Sequence, residues 1–334
     1  MAVGIGATGR YLPPRVIDNV HVTARTHKSA EWVRERTGFE ARRWADEATA
    51  TSDLGYAAVA DLLDTAPGAL DEGLGAIIFA TSTPDQPMPS TAAALQDQLK
   101  ADGVPSFDIG AVCAGSLYAL IVGAALAERP GTGPKVLVVA GDKYSPLLDV
   151  ADPTTVSLFG DGAAAILLTP VPDGYGLLSS KLVAHGSRRG LVEVIGGGSR
   201  RPLTAERLAA GEHLFRMKGR AVRDYVLETV PGAIKETLDA AGVDVQDIDR
   251  WIPHQANLNL LRELAGELGA DPDRFAMTPR FGNTGCASLP IALCESRRNR
   301  PFGNGELHCL FAVGGGMAAA VAVMRHWESE GTVS

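Results

Sequence analysis

Short, continuously apolar runs alternate with longer amphipathic ones along nearly the whole chain, and few architectures tolerate that alternation. LGAIIFATS (74–82), SFDIGAV (106–112), KVLVVAG (135–141), AAAILLT (163–169), DRWIPH (249–254) and LHCLFAV (307–313) read as strands buried on both faces. Between them, SDLGYAAVADLLDTA, STAAALQDQLKA, AGSLYALIVGAALAE, AVRDYVLETVPGAIKETLDAAG and LNLLRELAGELG read as helices. Strands without a polar face need cover on both sides of their sheet, which is the α/β class.

The pattern occurs twice. DLGYAAVADLLDTA…LGAIIFATSTPD is matched in order by GAIKETLDAAGVDVQDIDRWIPHQAN, and KVLVVAGD…FGDGAAAILL by LHCLFAVGGGMAAAVAVM. The Pro- and Gly-rich stretch TPVPDGYG (169–176) is the expected seam, dividing residues 1–172 from 173–334. Two similar halves packed together would form a site at their interface from loops of both.

Composition removes several classes of function. The 334 residues suffice for a large buried core, and no apolar run reaches the ~18 residues of a membrane span. A net charge of −8 argues against nucleic-acid binding. The cysteines (113, 286, 294 and 309) show no CxxC spacing and sit among small or apolar residues, against structural metal or disulfides. The first residues lack a basic segment leading into an apolar one, so a cytoplasmic protein is expected. Gly4, Gly6 and Gly9 have GxGxxG spacing, but Pro13 and Pro14 follow where a dinucleotide site needs a helix. Nucleotide binding is therefore not expected there.

Cys113, His254 and Asn283 stand out against this background. AVCAGS falls where a strand passes into a helix; there the helix N-terminus should lower the thiol pKa, and Ala114 and Gly115 leave room for a thioester. His254 should project from the C-terminal end of a strand, where α/β sheets bind ligands. Asn283 lies in a turn-rich loop, FGNTGCAS, that leads into a helix. A nucleophilic thiol with two donors for a developing oxyanion would serve acyl transfer. Cys286, Cys294 and Cys309 read as buried structural residues.

These strings and their order closely resemble the β-ketoacyl-acyl-carrier-protein synthase III family, within the thiolase superfamily. The resemblance is carried by ERTGFEARRW (35–44), STPDQPMPSTAAALQDQL (82–99), DIGAVCAGSLYAL (108–120), FGDGAAA (159–165), FRMKGRAV (215–222), WIPHQAN (251–257), GNTGCASLP (282–290) and AVGGGMAAA (312–320). It implies a homodimer with the thiolase-like duplicated five-layer αβαβα fold and no permanently bound cofactor. Acyl-CoA would acylate Cys113, with the oxyanion held by the N–H groups of Cys113 and Gly315. Malonyl-acyl carrier protein would then enter, and His254 and Asn283 would stabilise its enolate as carbon dioxide leaves. Trp32 and Arg36 match contacts to the adenine end of coenzyme A, Met217 and Gly219 match the ligand tunnel, and Asn257 lies near the pantetheine arm. The basic run Arg216, Lys218, Arg220 and Arg223 offers an acidic carrier a landing zone. Met88 fits the position that gates the acyl pocket across the dimer interface, where a flexible side chain would admit acyl groups larger than acetyl.

The chain departs from the family pattern twice. Asn259 stands where the family usually has an Arg after HQAN, and 152–162 is shorter than usual and lacks an Arg-Gly pair. Both losses remove cations from the tunnel mouth, which fits starter-unit priming better than housekeeping fatty-acid initiation; Arg223 or Arg262 could compensate. The rival reading is an acyltransferase of the same fold that moves the acyl group to a hydroxyl or amine without decarboxylation. A biosynthetic thiolase would carry a second Cys before its Gly-rich C-terminal string, where this chain reads AVGGGM. The GFGPG loop of plant-type polyketide synthases and the CGSCW context of papain-like proteases are both missing. A retired, non-catalytic synthase subunit would have little reason to hold all three reactive groups.

Overall fold

The Gly4–Gly6–Gly9 segment lies inside strand β1 (Ala2–Tyr11), and it is packing that requires at least one of these glycines. A Cβ at Gly9 would overlap the backbone of Ala58 and Leu62, so the helix Thr51–Thr65 rests directly on the strand. In this computed structural model, residues 2–129, 131 and 133–328 are described.

The strands in chain order are β1, β2 (Val16–Asp18), β3 (Ala41–Arg43), β4 (Leu74–Ala80), β5 (Ser106–Ile109), β6 (Lys135–Asp142), β7 (Gly162–Val171), β8 (Gly176–Ala184), β9 (Val192–Val194), β10 (Phe215–Met217), β11 (Arg250–Pro253), β12 (Leu307–Gly314) and β13 (Ala318–Arg325). One sheet runs β1-β7-β6-β4-β5 and the other β8-β13-β12-β11. β4–β6 and β11–β12 are parallel, whereas β6–β7 and β12–β13 are antiparallel, so the sheets repeat one topology. Among the described residues the second has four strands, and an isolated bridge joins Trp251 of its edge strand β11 to Phe275. Each strand foreseen from sequence is present; β1, β8 and β13 of the two main sheets are additional, as are the short strands β2, β3, β9 and β10.

Alternation along the strands assigns the layers. Ile78, Ala80, Val136, Val138 and Ala140 face an inner core shared with Ile252, Leu310, Ala320 and Ala322 of the other sheet. Ile77, Phe79, Leu137 and Val139 face outward onto Leu54, Val59 and Leu62 of the helix Thr51–Thr65. Trp251, Phe311, Val321 and Val323 face Val230 and Ile234 of the helix Gly219–Ala241, and Leu261 and Leu264 of the helix Leu258–Leu268. Between the sheets lie the helices Gly115–Ala127 and Ser288–Asn299, giving five layers, αβαβα. The helix Gly115–Ala127 is apolar nearly all round because both flanks meet a sheet. Leu117 in its first turn is fully buried, and its loss would cost about 2–5 kcal/mol.

Candidate active site

β5 ends at Ile109, and three residues later Val112 takes φ 47°, a left-handed conformation that a β-branched side chain rarely adopts. That turn delivers Cys113 into a short 3-10 segment leading into the helix Gly115–Ala127. The end of β12 lies against it. A Cβ on Gly314 would stand 2.9 Å from the Cys113 nitrogen and 2.8 Å from that of Ala114, so only glycine fits. Gly315, next along, faces the Val112 side chain.

The thiol is not activated in the way that its place at a helix start suggests. Burial pushes the Cys113 pKa well above its ordinary value, the Asp142 carboxylate adds to the rise, and Cys113's own N–H opposes it without prevailing. The expected lowering fails because the sulfur loses water and sits beside a buried negative charge. Cys113 therefore rests as a thiol.

His254 extends β11, and its N–H donates to the Phe311 carbonyl of β12 at 2.8 Å, so the strand that ends at the glycines beside Cys113 also holds the segment bearing the imidazole. Its Nδ1 is buried without a hydrogen-bond partner, and burial lowers the ring pKa to about 3. The imidazole is thus neutral, and a proton on Nε2 avoids stranding a buried N–H at Nδ1. Next to it, Gln255 donates to the Pro253 and Ala276 carbonyls, each at 2.9 Å, and accepts the Thr278 N–H at 2.9 Å. That clamp fixes the segment leading to Asn283.

Asn283 is held on both sides by main chain. Its N–H donates to Leu158 at 2.8 Å and its carbonyl accepts from Gly160 at 2.9 Å. The side-chain Oδ1 accepts the Gly285 N–H at 3.0 Å, which leaves the Nδ2 donors for a ligand. Gly285, at φ 59°, packs on Asp142 and Tyr144, and a Cβ on Gly115 would lie 3.7 Å from that of Cys286. The Cys113 turn, the 283–286 turn and the end of β12 thus form one cluster of loops.

Sequence reasoning missed the group beneath this cluster. Asp142, fully buried, accepts from the N–H groups of Ser82 (2.7 Å), Thr83 (3.2 Å) and Cys286 (2.8 Å) and from the Thr81 hydroxyl (3.1 Å). Tyr144 bonds Ser82 Oγ at 2.9 Å and stacks on Phe159 at 4.7 Å. GDKYS (141–145) held no signal beyond an acidic residue closing an apolar strand. Cys286, Cys294 and Cys309 are buried, as expected of structural cysteines.

The other expected residues are more dispersed. Trp32 is half-buried, with the Lys28 ammonium 5.1 Å over its ring, and Arg36 is exposed on the same helix, Ala30–Thr37. Asn257 caps the helix Leu258–Leu268 and donates to the Arg36 carbonyl at 3.1 Å, so its side chain joins two helices. Asn259 donates to the Glu35 carbonyl at 2.8 Å and accepts from Arg262 at 2.9 Å, which brings a cation to this junction. Met217 is half-buried, and a Cβ on Gly219 would touch its methyl at 3.7 Å. Arg216, Lys218, Arg220 and Arg223 are exposed, but Arg223 is paired with Glu263 and Asp224. Met88 is 80% exposed.

Comparison with known proteins completes this picture. Two family models match: 3-oxoacyl-[acyl-carrier-protein] synthase III over residues 107–186 and its C-terminal part over 238–326. The chain is 43% identical to an acetoacetyl CoA synthase of Streptomyces sp. (strain CL190), over 95% of this chain and 96% of that one. It is 40% identical to a β-ketoacyl-[acyl-carrier-protein] synthase III of Rhodospirillum rubrum, covering 96% and 98%. Among solved structures, the synthase III of Thermus thermophilus superposes with a TM-score of 0.90 at 36% identity, covering 98% and 100%. The priming β-ketosynthase of a polyketide pathway gives 0.85 at 27% identity, covering 97% and 96%. With Cys113, His254 and Asn283 on neighbouring loops of a duplicated αβαβα fold, the chain belongs to the 3-oxoacyl-[acyl-carrier-protein] synthase III family.

Proposed function

We propose that this protein is a decarboxylating condensing enzyme that joins an acyl group from acyl-CoA to a malonyl thioester, in starter-unit priming. The observation that carries the reading is the arrangement of donors: a neutral His254 and an Asn283 whose Oδ1 is already engaged. Both can give a hydrogen bond to a thioester oxygen, and neither needs to carry charge.

In the first half-reaction Cys113 sulfur attacks the acyl-CoA carbonyl. The oxyanion takes the N–H groups of Cys113 and Gly315, coenzyme A leaves as its thiol, and the proton from Cys113 ends on that sulfur. In the second, the malonyl thioester loses carbon dioxide, and the electron pair passes to its thioester oxygen, which accepts from His254 Nε2–H and Asn283 Nδ2–H. The enolate carbon then attacks the acyl-Cys113 carbonyl. Cys113 departs as a thiolate and takes a proton from water, and the β-ketoacyl thioester is released. Each donor is worth roughly 2.7–4 kcal/mol in the transition state. Carbon dioxide release tests this directly: acyl transfer to a hydroxyl or amine would produce none.

The remaining assignments follow from the same reading. The halves 1–172 and 173–334 each supply loops to the site. Trp32, Arg36 and Arg262 receive the nucleotide end of coenzyme A, with Asn257 holding their helices together; Met217 and Gly219 line the tunnel. The enzyme works as a homodimer in which Met88, exposed on one protomer, gates the acyl pocket of its partner. It acts in the cytoplasm, and no described helix is long and apolar enough to cross a membrane.

One observation favours a second reading of the acceptor. Arg223 in the basic run is paired with Glu263 and Asp224, which weakens a landing zone for an acidic carrier. A relative at 43% identity is named for an acetoacetyl CoA product. Free malonyl-CoA is then the acceptor. Rates with malonyl-CoA and malonyl-carrier protein at equal concentration separate the two readings.

A further inference from the structure

The loop that follows β12 ends in a conformation that does not hold itself. Gly316 lies at φ 77°, and Met317, which has a side chain, lies at φ 54°. The Met317 carbonyl accepts from the Tyr225 hydroxyl at 2.8 Å and from the His185 N–H at 3.1 Å. His185 Nδ1 is 2.8 Å from the same hydroxyl. Since the phenol gives its proton to Met317, the imidazole donates from Nδ1, and a relay runs His185 to Tyr225 to Met317.

Tyr225 reaches this carbonyl from the helix Gly219–Ala241, and His185 directly follows β8, so a helix and a strand end converge on one peptide. Arg188 braces the ring, its guanidinium 5.4 Å above it and paired with Glu228. The packing of that helix comes from Val226, Val230 and Ile234, all buried, and does not require the hydroxyl. The hydroxyl's bond to the 317 carbonyl ties the helix to the loop two residues beyond Gly315.

We propose that Tyr225, oriented by His185, is a positioning residue that locks Gly315–Met317 with the Gly315 N–H facing the Cys113 thioester. The inference rests on acylation of Cys113 as described above. Without the lock Met317 leaves the left-handed region, and the Gly315 N–H turns from the oxyanion.

The test compares two reactions of one sulfur. Acylation by acetyl-CoA passes through an oxyanion, whereas alkylation by iodoacetamide only displaces iodide and needs no oxyanion donor. Tyr225→Phe is expected to slow single-turnover acylation roughly 30-fold, less than the 10²–10³ that loss of a whole donor costs. Alkylation and the half-saturating acetyl-CoA concentration should stay within about twofold of wild type. His185→Gln, which keeps the phenol, should slow acylation about fivefold and serves if Tyr225→Phe does not fold. Acylation of both variants at the wild-type rate, or an equal fall in acylation and alkylation, overturns the inference. A wild-type enzyme that is never acylated overturns the functional reading beneath it.

Discussion

The Asp142 carboxylate accepts the Cys286 N–H at 2.8 Å, so the residue that closes β6 holds the turn just after Asn283, 144 positions away. A buried carboxylate is tolerable only when its oxygens are taken up by donors, and here Ser82 and Thr83 supply further N–H groups. The same charge raises the Cys113 pKa. Burial first and this buried acid second thus keep the Cys113 thiol protonated at rest, and the same acid fixes the loop that carries Asn283.

Gly285 is the weak point of that junction. A Cβ there would overlap the Asp142 carboxylate and stand 2.5 Å from the Tyr144 ring, at φ 59°. Gly285→Ala should destabilise the protein by about 2–4 kcal/mol in urea unfolding. It should also slow condensation more than Cys113 acylation, because the displaced turn bears Asn283 and not the thiol.

The two donors should separate the half-reactions. His254→Ala and Asn283→Ala should each cut carbon dioxide release from the malonyl thioester by about 10²–10³, while acylation of Cys113 falls less than tenfold. Quenched-flow measurement of each half-reaction checks this.

Stability should depend on acid through His254. Its pKa is about 3 when folded against an ordinary 6.5, so between those values the unfolded chain binds a proton that the folded protein does not. The contribution is whole above about pH 6.5 and is lost progressively as pH falls toward 3, at up to about 1.4 kcal/mol per pH unit. His254→Gln should therefore reduce the slope of unfolding free energy against pH between 6 and 4.5 by close to one proton. For the same reason, carbon dioxide release by the wild type should show no break near pH 6.5.

Met88 should set acyl range from across the proposed homodimer. Met88→Trp should lower the rate with hexanoyl-CoA at least tenfold relative to acetyl-CoA, without changing Cys113 alkylation. Competing acyl-CoA kinetics measure the ratio, and a strict acetyl preference in the wild type would contradict the gate.

Much of this was legible because it is periodic or local. Both-face apolar strands such as 74–80 and 307–314 could only be sheet interiors, and the repeated order exposed the duplication. β1 was harder to see, since its glycines resemble a phosphate loop and their packing against the helix Thr51–Thr65 is a tertiary fact. The three candidate site residues stood out through their small-residue flanks. The direction of the Cys113 pKa was not, because it depends on burial and on Asp142, neither of which local sequence reveals. That the Asn257 side chain caps one helix and ties down another was not legible, because this work depends on how the two helices meet.

Intact-protein mass spectrometry tests the central claim most directly. Incubated with acetyl-CoA, the wild type should gain one acetyl group, Cys113→Ala none, and malonyl thioester should discharge the adduct with release of carbon dioxide. An adduct that persists in Cys113→Ala, or one that malonyl thioester leaves in place, would contradict the account.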